Sequence, residues 1–153
     1  MISLTWNRDF EAAWPEDDYE ESRRKSDLGK SVPSCWSVGR RKNIPTNSKV
    51  FFFAQGTKHV RGLVARGIAV DVPESGIHWN DPTKKTNYVK LKLAKLLDLK
   101  DTIPASLLQE RLPNIPWHAY GKVDSILRWN IKKHLGKFGT IFQVSRRFQS
   151  RVN

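Results

Sequence analysis

Two tryptophans sit where an indole can do the chemistry of recognition. Trp36 lies in Ser34-Cys35-Trp36-Ser37-Val38-Gly39-Arg40-Arg41-Lys42, so the ring is followed by a hydroxyl side chain, a glycine turn and three consecutive cations. Trp79 lies in Gly76-Ile77-His78-Trp79-Asn80, inside a turn-rich stretch. A flat indole face can stack on an extruded nucleobase, and a methyl group on that base adds dispersion contacts. Cations beside such a ring can hold the flanking phosphates. Each Trp taken alone fits a core position at least as well, so the pair gains meaning only if the fold brings both to one place.

Other chemistry is thinly supplied. His59, His78, His118 and His134 lack the i, i+4 pairing or thiolate partners of a zinc site, and Cys35 is the single cysteine. The chain carries no G-x-S-x-G elbow, Walker loop or G-x-G-x-x-G turn. His78 with Asp81 could act as a general-base pair, although a lone loop histidine more often serves a structural hydrogen bond. No catalytic residue, metal or cofactor is therefore assigned.

The 153 residues carry 27 Lys and Arg against 15 Asp and Glu, a net charge of +12, with 39% hydrophobic residues. That is enough apolar material for one globular domain. One cysteine excludes an intramolecular disulfide framework and fits an intracellular compartment. No run approaches the ~20 apolar residues of a membrane span, and Met1 to Phe10 lacks the pattern of an export signal, so no membrane partner is expected. The charge is uneven. Residues 1–21 hold seven acids and one base, Arg8, leaving 26 bases against 8 acids in the rest. Such a surplus attracts phosphate backbones and releases their counterions, which makes nucleic acid the expected partner.

The elements that must position these residues can be read from periodicity. Trp6, Phe10, Trp14 and Tyr19 recur at near-helical spacing, with Pro15 breaking the run, and predict an interrupted amphipathic helix. Ser22 to Ser34 reads as a polar linker. Val50 to Gln55 predicts a strand buried on both faces, and Gly62 to Val70 its hairpin partner, with a bulge or close backbone approach at Gly67. Asn87 to Leu93 predicts a third strand, with Val89, Leu91 and Leu93 facing the core and Tyr88, Lys90 and Lys92 facing solvent or ligand. Pro73 to Thr86 reads as a loop. Pro104 to Arg111 predicts a short helix near a Thr102 cap, Asp124 to Leu135 a second, and Phe138 to Val144 a last strand. The organisation is an acidic aromatic segment and linker at 1–29, a domain at 30–145 and a basic tail at 146–153.

The succession Trp36-Ser37-Val38-Gly39, Lys49 to Gly56, Arg61 to Gly67, His78-Trp79 and Tyr88-Val89 resembles the EVE branch of the PUA superfamily. It is most similar to the EVE-like domains fused to HNH nucleases in modification-dependent restriction enzymes. Leu96-Leu97-Asp98 and Trp117 to Gly121 fall where that pattern has corresponding steps, so the likeness spans residues 30–125. It implies an α+β fold with a strongly bent PUA-like sheet or pseudo-barrel flanked by short helices. It also implies a pocket for a flipped, modified base, with modified cytosine in double-stranded DNA as the leading ligand. Trp36 is then a stacking wall, Ser37 a hydrogen-bonding group, Trp79 the second wall, and Gln55 and Arg66 candidates for edge or backbone contact. Tyr120 stands where the family has serine and becomes a pocket-lining candidate. Arg40, Arg41 and Lys42 are phosphate candidates from charge alone. YTH readers of N6-methyladenine look alike around Trp36-Ser37, which keeps a methyladenine or modified-RNA ligand open. A nuclease domain or subunit is the implied partner. No HNH segment follows Val144 in this chain, so it is expected to bind without cutting. The readings from other classes are a hydrolase built on His78 and Asp81, the sensor half of a nuclease, or a protein-interaction module using the acidic first 21 residues.

Overall fold

Strand formation begins with the first residues. The computed structural model describes residues 2–114. Ile2, Leu4 and Trp6 alternate with Ser3, Thr5 and Asn7, and Ile2–Asn7 forms β1. This departs from the helix expected there, because period-two burial of Ile2, Leu4 and Trp6 outweighs the helical spacing of the aromatics. Strands β2 (Val32–Gly39), β3 (Lys49–Gln55), β4 (Gly62–Ala69), β5 (Glu74–His78), β6 (Asp81–Leu96) and β7 (Ile103–Pro104) follow, with helices α1 (Glu16–Asp27) and α2 (Ala105–Arg111). The chain is thus α+β, with a seven-stranded sheet among the described residues. The expected helix at 124–135, strand at 138–144 and basic tail lie outside those residues.

The sheet runs β1-β3-β4-β6-β2, with β5 added to β6 and β7 to β4. It is open, and β1 and β2 are the ends of that path. β1 is parallel to β3, and the β3–β4 hairpin is antiparallel as expected. Three register shifts bend the main strand path: Val64 is the extra residue of β4 against β3, Ala94 of β6 against β4, and Val38 of β2 against β6. Gly67 lies beside the second of these. A Cβ on Gly67 would sit 2.3 Å from the Lys92 carbonyl oxygen, so the close approach anticipated there is real. Pro73 to Thr86 is a hairpin and not a loop, because β5 pairs with the start of β6 and Tyr88 donates through its hydroxyl to the Ile77 carbonyl at 2.7 Å.

The supposed linker is helix as far as Asp27 and strand from Val32. α1 has little apolar stripe, burying only Tyr19 and Ser26. Its support is electrostatic: Glu16, Asp17 and Asp18 occupy the first turn, Arg24 and Lys25 the last, and Glu20–Arg23, Glu21–Lys25 and Arg23–Asp27 pair along it. The Arg23 guanidinium holds the Glu20 carboxyl below its usual range, and Lys25 does the same for Glu21. Gly29, at φ +75°, lets the chain turn out of the helix. Two buried contacts dock α1 on the sheet. The Ser26 hydroxyl accepts from the Leu96 amide at 3.1 Å. The Tyr19 hydroxyl donates to the carbonyls of Leu97 at 2.8 Å and Val64 at 3.1 Å. The extra residue of β4 therefore has its carbonyl answered from outside the β3–β4 pair, by Tyr19 and by the Leu97 amide.

Alternation along β3 divides the core. Val50, Phe52 and Ala54 join the main cluster with Trp6, Trp14 and Tyr19. Phe51 and Phe53 take the other face, where β7 and α2 bury Ile103 and Leu108. Thr102 does not cap α2; its hydroxyl donates to the Leu99 carbonyl at 2.6 Å.

Two substitutions test this account by urea denaturation. Tyr19→Phe leaves a buried carbonyl short of a donor and should lower stability by about 1–3 kcal/mol. Gly67→Ala drives a methyl into the β6 backbone and should destabilise by about 2–3 kcal/mol; an unchanged midpoint would contradict the register described for β4 and β6.

Candidate functional site

The two end strands of the sheet face one another across a cleft. Its lining comes from β1 (Thr5, Asn7), the turn after it (Phe10, Ala12, Ala13), β2 (Cys35, Trp36, Ser37), the end of β3 (Gln55), the β5–β6 tip (Trp79) and β6 (Tyr88). The volume is about 350 Å³, within the range of small-ligand sites. No charged side chain is among the lining residues. The cleft presents aromatic faces, hydroxyls and two carboxamides, a surface suited to a flat, neutral, hydrogen-bonding group.

Trp36 has a double allegiance. Its ring meets Phe52 edge-on at 5.1 Å and Trp14 at 5.7 Å, so it is a boundary residue of the core as well as a wall of the cleft. Trp14 in turn contacts Trp6 at 5.3 Å and Tyr19 at 4.9 Å. Trp14 thereby links the tryptophan of β1 to that of β2 through side chains alone. Arg8 reinforces the β1 end, with its guanidinium 5.8 Å from the Trp6 ring centroid and paired with Glu16 at 2.5 Å.

Ser37 lies opposite Tyr88 in the β2–β6 ladder, and its hydroxyl is 2.7 Å from that of Thr86. Gln55 lies opposite Asn7 in the β1–β3 ladder, which brings the two carboxamides to neighbouring strand ends. Trp79, at the hairpin tip, is 45% exposed and stacks on His78 at 5.9 Å.

Of the residues singled out by sequence, Trp36, Ser37, Gln55 and Trp79 come together in the cleft. Arg66 does not line it; it is exposed on β4 beside Lys95 of β6. Tyr120 lies outside the described residues. Arg40, Arg41 and Lys42 follow β2 directly, after Gly39 turns the chain at φ +64° and its carbonyl accepts from the Asn87 side chain at 2.8 Å. They flank the strand that carries Trp36 and Ser37 without lining the cleft. Sequence reasoning missed Thr5, Asn7, Phe10 and Cys35 as lining residues. The period-two alternation of Ile2, Leu4 and Trp6 was the signal that could have placed β1 there. Tyr88 was placed on a ligand-or-solvent face, and Lys90 and Lys92 continue that face outward.

His78 and Asp81 are opposed across the β5–β6 tip, but the carboxylate is engaged elsewhere. Asp81 accepts from the Thr83 amide and hydroxyl and pairs with Lys84 at 2.8 Å, and these contacts, Lys84 first, hold its carboxyl below the usual range. His78 Nδ1 accepts from the Asn80 amide at 3.4 Å. The arrangement anchors the tip that carries Trp79. Among the described residues no group of three or more His, Cys, Asp or Glu is gathered to hold a metal ion, and no helix is long and apolar enough to cross a membrane.

Comparison of the chain with protein-family models, with curated proteins and with solved structures finds no match. The likeness to EVE-like domains therefore rests on the order and spacing of the chain's own motifs.

The two walls should respond differently to truncation. Trp36→Ala removes ring contacts from the core and should lower stability by about 2–3 kcal/mol. Trp79→Ala, at an exposed tip, should change it by less than about 0.5 kcal/mol. Equal effects in thermal or urea melts would remove the distinction between a core-seated wall and a free one.

Proposed function

We propose that this chain is a nucleic-acid reader that holds one extruded base in the cleft between Trp36 and Trp79, without cutting the strand. The observation that carries the reading is convergence. Trp36, Ser37, Gln55 and Trp79 come from three separate parts of the chain and line one uncharged cleft, in a protein of net charge +12. In this reading the sheet is of the PUA type, a pseudo-barrel left open at the cleft, and the preferred ligand is a modified cytosine in duplex DNA.

The energetics set what each part must do. Extrusion of a base costs a few kcal/mol, and aromatic stacking returns about 1–3 kcal/mol per base. One methyl in an apolar pocket discriminates by roughly 1–3 kcal/mol. Selectivity thus comes from the cleft, whose polar groups, Ser37, Gln55 and Asn7, face the base edge. Most of the affinity comes from phosphate contacts by Arg40, Arg41 and Lys42, with Lys90 and Lys92 on the face that continues from Tyr88.

The test is competitive fluorescence polarisation with short duplexes carrying cytosine, 5-methylcytosine, 5-hydroxymethylcytosine, adenine or N6-methyladenine. The expected result is a preference for a modified cytosine that Trp79→Ala abolishes with the fold intact. A preference for N6-methyladenine would move the reading to the YTH-like ligand. Equal binding to all duplexes, indifferent to Trp79, would end the base-reading proposal. Metal-dependent cleavage of modified duplex by the purified chain would replace it with a nuclease.

Salt separates the two contributions. Raising ionic strength should weaken binding steeply while leaving the modification preference intact. The double variant Arg40→Gln/Lys42→Gln should flatten the slope of log affinity against log salt by about one unit for each phosphate no longer neutralised. An unaltered slope would take these residues out of the interface.

A further inference from the structure

The cleft accounts for a base but not for the hole that the base leaves behind. Phe10 stands at the cleft on the turn after β1, and it is 55% exposed. Only two aromatic side chains are among the exposed large hydrophobics of the described residues, Phe10 and Trp79, and both line this cleft. Exposed aliphatic side chains such as Leu28, Val60 and Val72 line no part of it.

Phe10 is exposed by construction. The Phe10 amide donates to the Asn7 carbonyl at 3.1 Å, and the Ala13 amide donates to the Phe10 carbonyl at 3.1 Å. Just before Phe10, Asp9 accepts from the Thr57 amide at 2.9 Å and the Arg8 amide donates to the Gln55 carbonyl at 2.7 Å, both tying the turn to the end of β3. The Arg8 guanidinium reaches across the turn to pair with Glu16. A turn tied down in this way needs little further backbone ordering when the phenyl ring it carries is covered. Trp14, which follows the same turn, is buried, so this segment buries one aromatic ring and displays another.

We propose that Phe10 is the wedge that enters the duplex in place of the extruded base. This rests on the base-reading role given above and adds how the duplex is held open once the base has left it. Insertion of an apolar side chain between base pairs is an established way of stabilising a distorted duplex. A wedge has work to do only where there is a stack to fill. A single strand carrying the same base has no such vacancy, so Phe10 should matter for one form of ligand and not for the other.

The experiment measures the affinity of the full chain and of Phe10→Ala, Phe10→Trp and Trp79→Ala for one modified oligonucleotide, single-stranded and as a duplex, with 2-aminopurine next to the modified base reporting unstacking. Phe10→Ala should weaken duplex binding about tenfold and leave single-strand affinity within about twofold. Phe10→Trp should restore duplex binding, and the 2-aminopurine signal of the bound duplex should change with Phe10→Ala. Equal loss on both forms would make Phe10 an ordinary lining residue, and no loss on either would remove it from the interface; each overturns the proposal. If Phe10→Ala is silent while Trp79→Ala still abolishes the modification preference, the wedge fails and base reading stands. If the full chain shows no modification preference in either form, base reading fails and the wedge falls with it. Thermal melts should show all three variants as stable as the parent, since both side chains are exposed.

Discussion

The open side of the sheet is spanned by ring contacts of Trp14. β1 and β2 are the two ends of the main strand path and are not hydrogen-bonded to each other, so no backbone ladder fixes their separation. Trp14 lies against Trp6 of β1 and Trp36 of β2, while Phe52 of β3 meets both Trp14 and Trp36 edge-on. Ring contacts of this kind add about 0.5–1.5 kcal/mol each beyond the area they bury. Apolar packing therefore sets a gap that a hydrogen-bonded strand would have closed. The cleft is the part of that gap the rings leave unfilled.

The division of labour between side chains follows from this arrangement. Trp36 is committed on one side to the core, so its position is set before any ligand arrives, whereas Trp79 rides on a hairpin whose tip is anchored by Asp81. One wall is fixed in the core and the other is about half exposed to water. Charges are kept outside. The lysines of β6 sit on a strand that lines the cleft, and Arg40, Arg41 and Lys42 follow one directly, but none of these side chains lines it. In the reading proposed above, a neutral interior with a cationic exterior would let shape and hydrogen bonding decide what enters while long-range attraction decides what arrives.

Much of the sheet was legible in the sequence. Val50 to Gln55 and the alternation of Val89, Leu91 and Leu93 state their burial directly, and Gly67 marked a close approach. The parts that were not legible failed for identifiable reasons. In β1, Ile2, Leu4 and Trp6 carry a strand alternation that competes with a helical spacing set up by Phe10 and Trp14, and only pairing with β3 decides between them. In α1 the apolar stripe is nearly missing, because the helix is stabilised by charge pairs and docked by two hydroxyls. β5 contains Gly76 and two exposed polar residues, so its pairing with β6 leaves little trace in composition. Of the cleft, Trp36, Ser37, Gln55 and Trp79 were named from motif order, while Thr5, Asn7 and Phe10 were hidden with β1.

Folding order follows from the same strand. The β3–β4 and β5–β6 pairs join neighbouring stretches of chain, but Ile2 lies opposite Val50 in a parallel ladder that must wait for α1 and β2 to be threaded between them. Long-range pairings of this kind carry the larger loop-closure entropy and form late. The β2–β6 ladder, with Val32 opposite Leu93, spans at least as much chain, so both strands that wall the cleft are late to pair. During synthesis β1 emerges before β3 and stays unpaired until β3 follows. In the reading proposed above, ligand binding at the cleft would report completion of folding as well as recognition, because partly folded chains with sound hairpins would still lack both end strands of the site.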